Sequence, residues 1–236
     1  MPTHFVIILL PMKRILKVIT ILICQLSIVN LSSCTTDSYD KGQGKYSLMQ
    51  AELVDMTINA DKQGTAFVTD ADERFSLTPV VTASWIQTAD TTYRAMLYFN
   101  VLSGNTAEPV SVGTVPTLRA REHWKINDPK EDPIGLESAW LGKNGKYLNL
   151  GILLKTGQVD GEDGVHTIGL AQDTILVNTD GTRTAKFRFL HDQAGVPEYY
   201  TNRRFVSILL PDTVVLDTIR LTIPTYNGKT ERVFLP

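Results

Sequence analysis

Apolar and polar residues alternate over short runs along most of the chain after residue 45. The clearest run is 93–103, in which every second residue from Tyr93 to Val101 is apolar or aromatic. A period of two places such side chains on one face of a β-strand. Asp180-Gly181 and Asn227-Gly228 are dipeptides that favour two-residue hairpin turns. The pattern therefore predicts an all-β protein.

Segment 121–137 interrupts these runs. It has no hydrophobic period, carries eight charged residues, and contains Pro129 and Pro133, which favour extended or turn backbone. This composition is typical of a boundary between domains. Before it, about five strands with a bulge near Leu53-Val54 predict a small OB-like barrel over 46–120. After it, seven or so short strands predict a β-sandwich over 121–236.

The first 33 residues have the pattern of a signal peptide. Lys13, Arg14 and Lys17 supply positive charge, 15–29 is apolar, and small residues follow. Because another apolar stretch, 5–10, precedes the charges, we expect Met12 to be the true start. A membrane-spanning helix is one alternative, but the apolar run is shorter than the ~20 residues that a span needs. An ordinary secretory signal is the other alternative.

The motif Leu31-Ser32-Ser33-Cys34 resembles the lipobox of bacterial lipoproteins. The resemblance implies that Cys34 carries a diacylglycerol thioether and that cleavage precedes it. Residues 34–45 would then be the lipidated cysteine and a flexible tether. Asp37 and Asp40 match in part an acidic surface-export signal of some Gram-negative anaerobes, and a solvated linker is the alternative. We therefore expect a lipid-anchored envelope protein at the outer membrane, facing the periplasm or the cell surface.

Charge and cysteine content exclude several classes of function. The net charge is −2, and the signal holds three basic residues and no acidic one, so the remainder is more acidic. This gives no electrostatic footprint for nucleic acid. Of the two cysteines, Cys24 is lost with the signal and Cys34 is lipidated. The folded part therefore has no disulfide, thiolate metal site or cysteine nucleophile.

No catalytic residue, cofactor or metal is expected. His166 and His191 could approach each other, but no motif fixes a nucleophile beside them. The acidic loop 160–164 departs from the spacing of a calcium-binding loop. The sequence favours a non-enzymatic binding module. One alternative is a glycan-processing or other hydrolase with a site between the domains, and another is a purely structural envelope lipoprotein.

Three aromatic residues are candidates for a ligand platform. OB-like barrels often bind oligonucleotides or oligosaccharides through exposed aromatic side chains. Trp85, Tyr93 and Tyr98 lie in the predicted barrel. Packing in the core is the alternative for all three.

Four threonines are candidates for O-glycosylation. Each follows an aspartate and precedes a small or aliphatic residue, a pattern that some Gram-negative anaerobes glycosylate. The four are Thr91, Thr174, Thr213 and Thr218. The alternative is that such pairs arise where a strand begins after an aspartate turn.

Several features together resemble the NigD-like lipoprotein family. They are the lipobox signal, the barrel-like segment, Trp140, the run Tyr147-Leu148-Asn149-Leu150 and the later Leu190-His191-Asp192. The resemblance covers the chain after the signal and implies an N-terminal OB-like domain followed by a β-sandwich. The founding member lies in a bacteriocin locus of an oral anaerobe, which implies a link to bacteriocin immunity. The family has no established activity or catalytic residues, so the expected partner is an unidentified protein or glycan.

Overall fold

A computed structural model of the chain describes residues 48–159 and 161–236, and this part consists of strands and turns. The strands are β1 (Gln50–Ile58), β2 (Gly64–Thr69), β3 (Arg74–Val81), β4 (Thr92–Val101), β5 (Thr106–Thr114), β6 (Thr117–Arg119), β7 (Arg121–Glu122), β8 (Gly135–Leu141), β9 (Tyr147–Thr156), β10 (Gln158–Val159), β11 (Glu162–Asp163), β12 (Thr167–Val177), β13 (Arg183–Asp192), β14 (Tyr200–Leu209), β15 (Thr218–Thr225) and β16 (Gly228–Phe234). A 3-10 turn, His123–Lys125, follows β7. Among the described residues, no helix is long and apolar enough to cross a membrane. The predicted all-β class is confirmed.

The first five strands close into a barrel in the order β1-β2-β3-β5-β4, with β4 pairing back to β1. The contact between β3 and β5 is parallel, and the other neighbours are antiparallel. This closed five-stranded arrangement is that of the predicted OB-like barrel. Its core includes Met56, Phe67, Leu97 and Phe99, and the rings of Phe67 and Phe99 meet with centroids 4.9 Å apart.

Strand β1 differs from expectation in one respect. It pairs with β4 without a register shift from Gln50 to Thr57, and the shift lies between Thr57 and Ile58. The predicted bulge near Leu53-Val54 is therefore wrong. Leu53 and Val54 point to opposite faces of the strand, and both side chains are buried because both faces are covered. Val54 lies in the barrel core, whereas Leu53 points toward the sandwich, so a neighbouring domain accounts for apolar residues on both faces.

The second half forms two sheets packed face to face. One has the order β16-β15-β13-β12-β7 and the other the order β6-β14-β9-β8. The hairpin turn predicted at Asp180-Gly181 joins β12 to β13. The turn that joins β15 to β16 consists of Tyr226 and Asn227, one residue before the predicted Asn227-Gly228, because Gly228 already pairs with Thr225. The core lies between the sheets, where strands β9, β13, β14 and β15 contribute most of its buried side chains. The predicted β-sandwich is confirmed.

Segment 121–137 belongs to the sandwich. Its first two residues form β7, which pairs with β12, and β6 already pairs with β14 before residue 121. Farther along, the backbone amides of His191 and Asp132 bond to the carbonyl oxygens of Lys130 and His191, respectively, at 3.0 and 2.9 Å. Ile134 is fully buried. The prolines and charges of this segment therefore accompany an extended chain that lies along the sheet.

A buried arginine joins the barrel to the sandwich. Arg94 projects from the outer face of β4, and its side chain is 2% exposed. Its guanidinium donates to Asp70 at 2.7 Å and to Asp55 at 3.4 Å, both in the barrel. It also donates to Asn149 at 3.2 Å and Ser207 at 3.1 Å, both in the sandwich. One cation is thus shared between four partners on two domains.

Neighbouring contacts strengthen this junction. The Asn149 amide donates to Asp70 at 2.8 Å, and the Arg94 guanidinium lies 4.0 Å from the ring centroid of Tyr147. The backbone amide of Asn144 donates to the Asp70 carbonyl at 2.8 Å. A Cβ at Gly142 would lie 3.0 Å from the Asp70 carboxyl group, so glycine permits this close approach.

We expect the substitution Arg94→Met to destabilise the protein strongly. Removing one partner of a buried ion pair leaves an uncompensated charge and typically costs about 3–5 kcal/mol. Urea unfolding followed by far-UV circular dichroism measures the loss. Arg74→Met is the matched control, because Arg74 is exposed on the same barrel. Equal midpoints for the two variants would contradict the role given to Arg94.

Candidate functional site

A groove opens beside this junction, between the outer face of the barrel and one sheet of the sandwich. Its volume is about 540 Å³. We call it the junction groove and define it by its apolar residues, Leu53, Met96, Trp140 and Phe205, and its acidic residues, Glu52, Asp70 and Glu73. It combines an apolar wall with a few polar groups, as ligand sites commonly do.

The apolar wall presents an exposed tryptophan. Trp140 is 37% exposed, and its ring meets that of Phe205 edge-on, with centroids 6.2 Å apart and planes at 84°. Both side chains lie on the outer face of the sheet formed by β8, β9 and β14. Between them, Gly151 leaves space, since a Cβ there would lie 2.5 Å from the Ser138 hydroxyl oxygen and 3.6 Å from the Phe205 ring.

One acidic residue of the junction groove, Glu52, has a raised pKa. Burial raises the pKa of Glu52 above its ordinary value, and the negative charges of Glu73 and Asp70 raise it further, while Lys143 opposes the shift. Residues 48–159 and 161–236 contain no group of three or more histidine, cysteine, aspartate or glutamate side chains able to hold a metal ion. The groove therefore offers a region of negative charge beside an aromatic surface.

The sequence contained a signal for this groove that the strand pattern alone did not reveal. Met96 lies on the face of β4 opposite to Leu97 and Phe99, Leu53 lies on the matching face of β1, and the two residues are direct partners across the strands. Apolar residues on both faces predict a central or covered strand. The identity of the covering surface, which brings Trp140 and Phe205, depends on residues far away in the sequence.

The structure brings together two of the three predicted platform residues. Trp85 and Tyr93 meet edge-on with ring centroids 5.6 Å apart, and both pack against the barrel core. The Tyr93 hydroxyl accepts hydrogen bonds from the backbone amides of Gln87 and Thr88 at 3.2 and 3.1 Å. Tyr98 is five residues beyond Tyr93 on β4, so it points to the opposite face.

The four candidate glycosylation sites differ in exposure. Thr213 is exposed in the loop before β15, whereas the others are partly buried. Thr91 precedes β4, Thr174 lies within β12, and Thr218 begins β15. Modification of these threonines stays a prediction, and Thr213 is the most accessible acceptor.

The predicted anchor lies outside the described residues. Cys34, with the lipobox, and the candidate export residues Asp37 and Asp40 all fall within 1–47. The same is true of the signal peptide and the tether. Asp160 of the acidic loop is also outside the described part.

A second polar cluster joins the two histidines that the sequence suggested could meet. His166 Nδ1 lies 3.0 Å from His191 Nε2, and His191 Nδ1 lies 3.1 Å from the carbonyl oxygen of Asp132. A carbonyl only accepts, so His191 carries its proton on Nδ1. When both rings are neutral, His191 Nε2 then accepts from His166 Nδ1, and His166 Nε2 keeps a lone pair. We call these two residues the histidine pair.

The histidine pair predicts a pH-dependent stability. Burial, and secondly the charge of His191, lower the pKa of His166, whereas an unfolded histidine titrates near pH 6.5. The unfolded state therefore takes up more protons as the pH falls below that value, and the free energy of unfolding decreases. We expect the stability difference between the wild type and His166→Gln to shrink from about pH 7.5 to about pH 5.5.

Urea unfolding at each pH measures this difference. His123→Gln is the control, since His123 is exposed in the 3-10 turn, and it should keep the wild-type dependence. Parallel curves for wild type and His166→Gln would show that the histidine pair does not titrate as described.

Comparison with known proteins identifies the fold. The chain is similar to the crystal structure of a NigD-like immunity protein from Bacteroides caccae, with 24% identity and a TM-score of 0.61, over 79% of this chain and 97% of that one. It is similar to a candidate toxin-related protein from Parabacteroides distasonis, with 16% identity and a TM-score of 0.59, over 79% of this chain and 92% of that one.

A candidate lipoprotein from Bacteroides fragilis also has this fold, with 12% identity and a TM-score of 0.54, over 79% of this chain and 96% of that one. Neither a protein-family profile nor a curated protein sequence matches the chain significantly. The architecture implied by the NigD-like resemblance is thus confirmed as a fold.

Proposed function

We propose that the protein is a lipid-anchored envelope protein that binds a partner through the junction groove without chemical catalysis. The observation that carries this proposal is Trp140, an exposed tryptophan on the wall of a groove. Tryptophan is enriched among the residues that dominate binding energy at protein interfaces. The lipobox at Cys34 would keep this surface at the membrane.

The charge of the groove defines the chemistry of the partner. Glu52 and Glu73 lie beside the apolar wall together with Asp70, whose carboxylate is already paired with Arg94, and Lys143 is the basic residue among those lining it. A partner that inserts an apolar side chain and carries neighbouring basic groups complements this surface. The shared anchoring of Arg94 supports a groove that is already formed before binding, which limits the entropy lost on association.

A secreted toxin is the partner that we favour. The NigD-like immunity protein and the toxin-related protein share the fold, and the founding member of the resembling family lies in a bacteriocin locus. A lipid-anchored protein would intercept such a toxin before it reaches the membrane. A cell-surface glycan stacking on Trp140 is the alternative partner.

We expect Trp140→Ala to abolish protection against a toxin. A central tryptophan contributes roughly 2 kcal/mol or more to an interface, which corresponds to about thirtyfold in affinity. A sensitive anaerobe expressing each variant would be challenged with bacteriocin-containing culture fluids of related strains, and survival would be measured.

Two controls define this experiment. Trp124→Ala removes a tryptophan that is 64% exposed and does not line the junction groove, and it should protect as well as the wild type. Cys34→Ala removes the lipid and should not protect. Equal survival of cells expressing the two tryptophan variants would reject the groove as the binding surface. A purely structural lipoprotein would give this result.

One observation favours a second candidate function. Glycoside hydrolases use two carboxyl groups with different pKa values, and the pKa of Glu52 is raised beside Glu73 in the junction groove. Trp140 would then stack on a sugar ring. This arrangement describes a glycan-processing enzyme with its site between the domains.

Assay of wild type and Glu52→Gln on a panel of envelope and host glycans separates the two functions. We expect no release of reducing ends above background by either protein. Turnover by the wild type that falls at least a hundredfold in Glu52→Gln would establish the hydrolase, since a general acid typically contributes about 10²–10⁴-fold.

A further inference from the structure

One side of the sandwich is only partly closed. Strand β6 covers β14 along Ser207–Leu209, and β7 covers β12 at Ala171 and Gln172. Within the described residues, β14 has no strand beside it on this side from Tyr200 to Val206, and β12 has none from Thr167 to Leu170. A pocket of about 310 Å³ opens between the two sheets there. We call it the side pocket.

The floor of the side pocket is the sandwich core. Ile152, Leu154 and Val206, which are buried, and Ile168, which packs against them, line it. These residues come from both sheets, so an apolar group entering here would pass between the sheets and lose contact with water.

Polar side chains lie at the mouth. Arg204 has the same orientation along β14 as Val206, so it points from the inner face of the sheet into the opening. It makes no ion pair within the described part of the chain, whereas its neighbour Arg203 pairs with Glu137 on the outer face. Arg204 is exposed at this opening, and a guanidinium beside an apolar cavity, with no carboxylate partner among the described residues, favours an anionic ligand.

His166 supplies the second polar group. Among the residues that the structure describes, its buried Nε2 atom has no hydrogen-bond partner, while its Nδ1 atom lies 3.0 Å from His191 Nε2. A buried polar atom without a partner loses its hydrogen bonds to water without replacement, so such atoms in folded proteins need an explanation. A ligand in the side pocket provides one.

We propose that the side pocket binds a carboxylate that carries an apolar body. Arg204 would bind the carboxylate by charge-assisted hydrogen bonds, and the apolar body would lie against Ile152, Leu154 and Val206. The site is separate from the junction groove, so neither proposal depends on the other.

Binding is coupled to uptake of a proton. A lone pair on His166 Nε2 repels a carboxylate oxygen, whereas an N–H at this atom donates to it. Protonation of the histidine pair at Nε2 keeps both existing hydrogen bonds, because His166 then donates from both nitrogens. The ionisable groups that line the pockets beside the pair come from every neighbouring element: Tyr200 and Arg204 of β14, Arg119 of β6, Arg121 of β7, Asp192 beside His191, and Asp128 and Lys130 of the following segment. Asp132 contacts His191 through its carbonyl oxygen.

The proposal is tested with the full-length chain and octanoate as the probe, by isothermal titration calorimetry. We expect affinity to rise by about tenfold per pH unit as the pH falls from about 8 to about 6.5, because one proton is taken up with each ligand. Octanol, which has the same chain without the charge, should bind at least tenfold more weakly. Equal binding of octanol, or no binding of octanoate, would overturn the proposal.

Three variants locate the site. Arg204→Gln should weaken octanoate binding at least tenfold, and Arg203→Gln, its matched neighbour, should leave it unchanged. His166→Gln should remove the dependence on pH. If Arg203→Gln and Arg204→Gln have equal effects, or if the pH dependence survives in His166→Gln, the side pocket is not the site.

N-acetylleucine distinguishes the sources of the carboxylate. It carries the group on an amino-acid body, as a peptide carboxy terminus does, whereas octanoate represents a fatty acid. Tighter binding of N-acetylleucine with the same response to Arg204→Gln indicates a peptide terminus. Tighter binding of octanoate with that response indicates a lipid acid.

Discussion

The position of Arg94 is the constraint on which the arrangement of the two domains depends. A buried guanidinium is tolerated only where charged and hydrogen-bonding partners surround it. Asp55 and Asp70 of the barrel supply the negative charge, and Asn149 and Ser207 of the sandwich complete the shell. Separation of the domains would leave these groups without each other, so the junction groove beside them keeps its shape.

The run Tyr147-Leu148-Asn149-Leu150 shows how one strand serves two purposes. Leu148 and Leu150 face the sandwich core. Tyr147 and Asn149 face the barrel, where they contact Arg94. A strand whose two faces are both covered cannot vary freely on either one. A change at any of these four residues would therefore disturb either the sandwich core or the junction with the barrel.

Local features of the sequence predicted most of the fold. Strand periods and hairpin turns depend on neighbouring residues. The strand predicted over 93–103 is present as β4, which ends at Val101, and the turn at Asp180-Gly181 is present as predicted. The junction groove could not be predicted, because Met96 and Trp140 meet only after two domains pack together. The histidine pair was an intermediate case: the sequence suggested that His166 and His191 could approach, but the orientation of their rings depends on the Asp132 carbonyl.

The partly uncovered edge of β14 has a consequence for how copies of the protein behave at high concentration. Unpaired backbone groups on an edge strand can accept a strand from another molecule, which is a route to aggregation. Here the exposed edge carries Arg204, whereas the charge of its neighbour Arg203 is paired with Glu137. Two identical edges approaching each other would bring like charges together. Strand β14 can therefore bind a small anion beside its exposed edge and still resist pairing with the same strand of another copy.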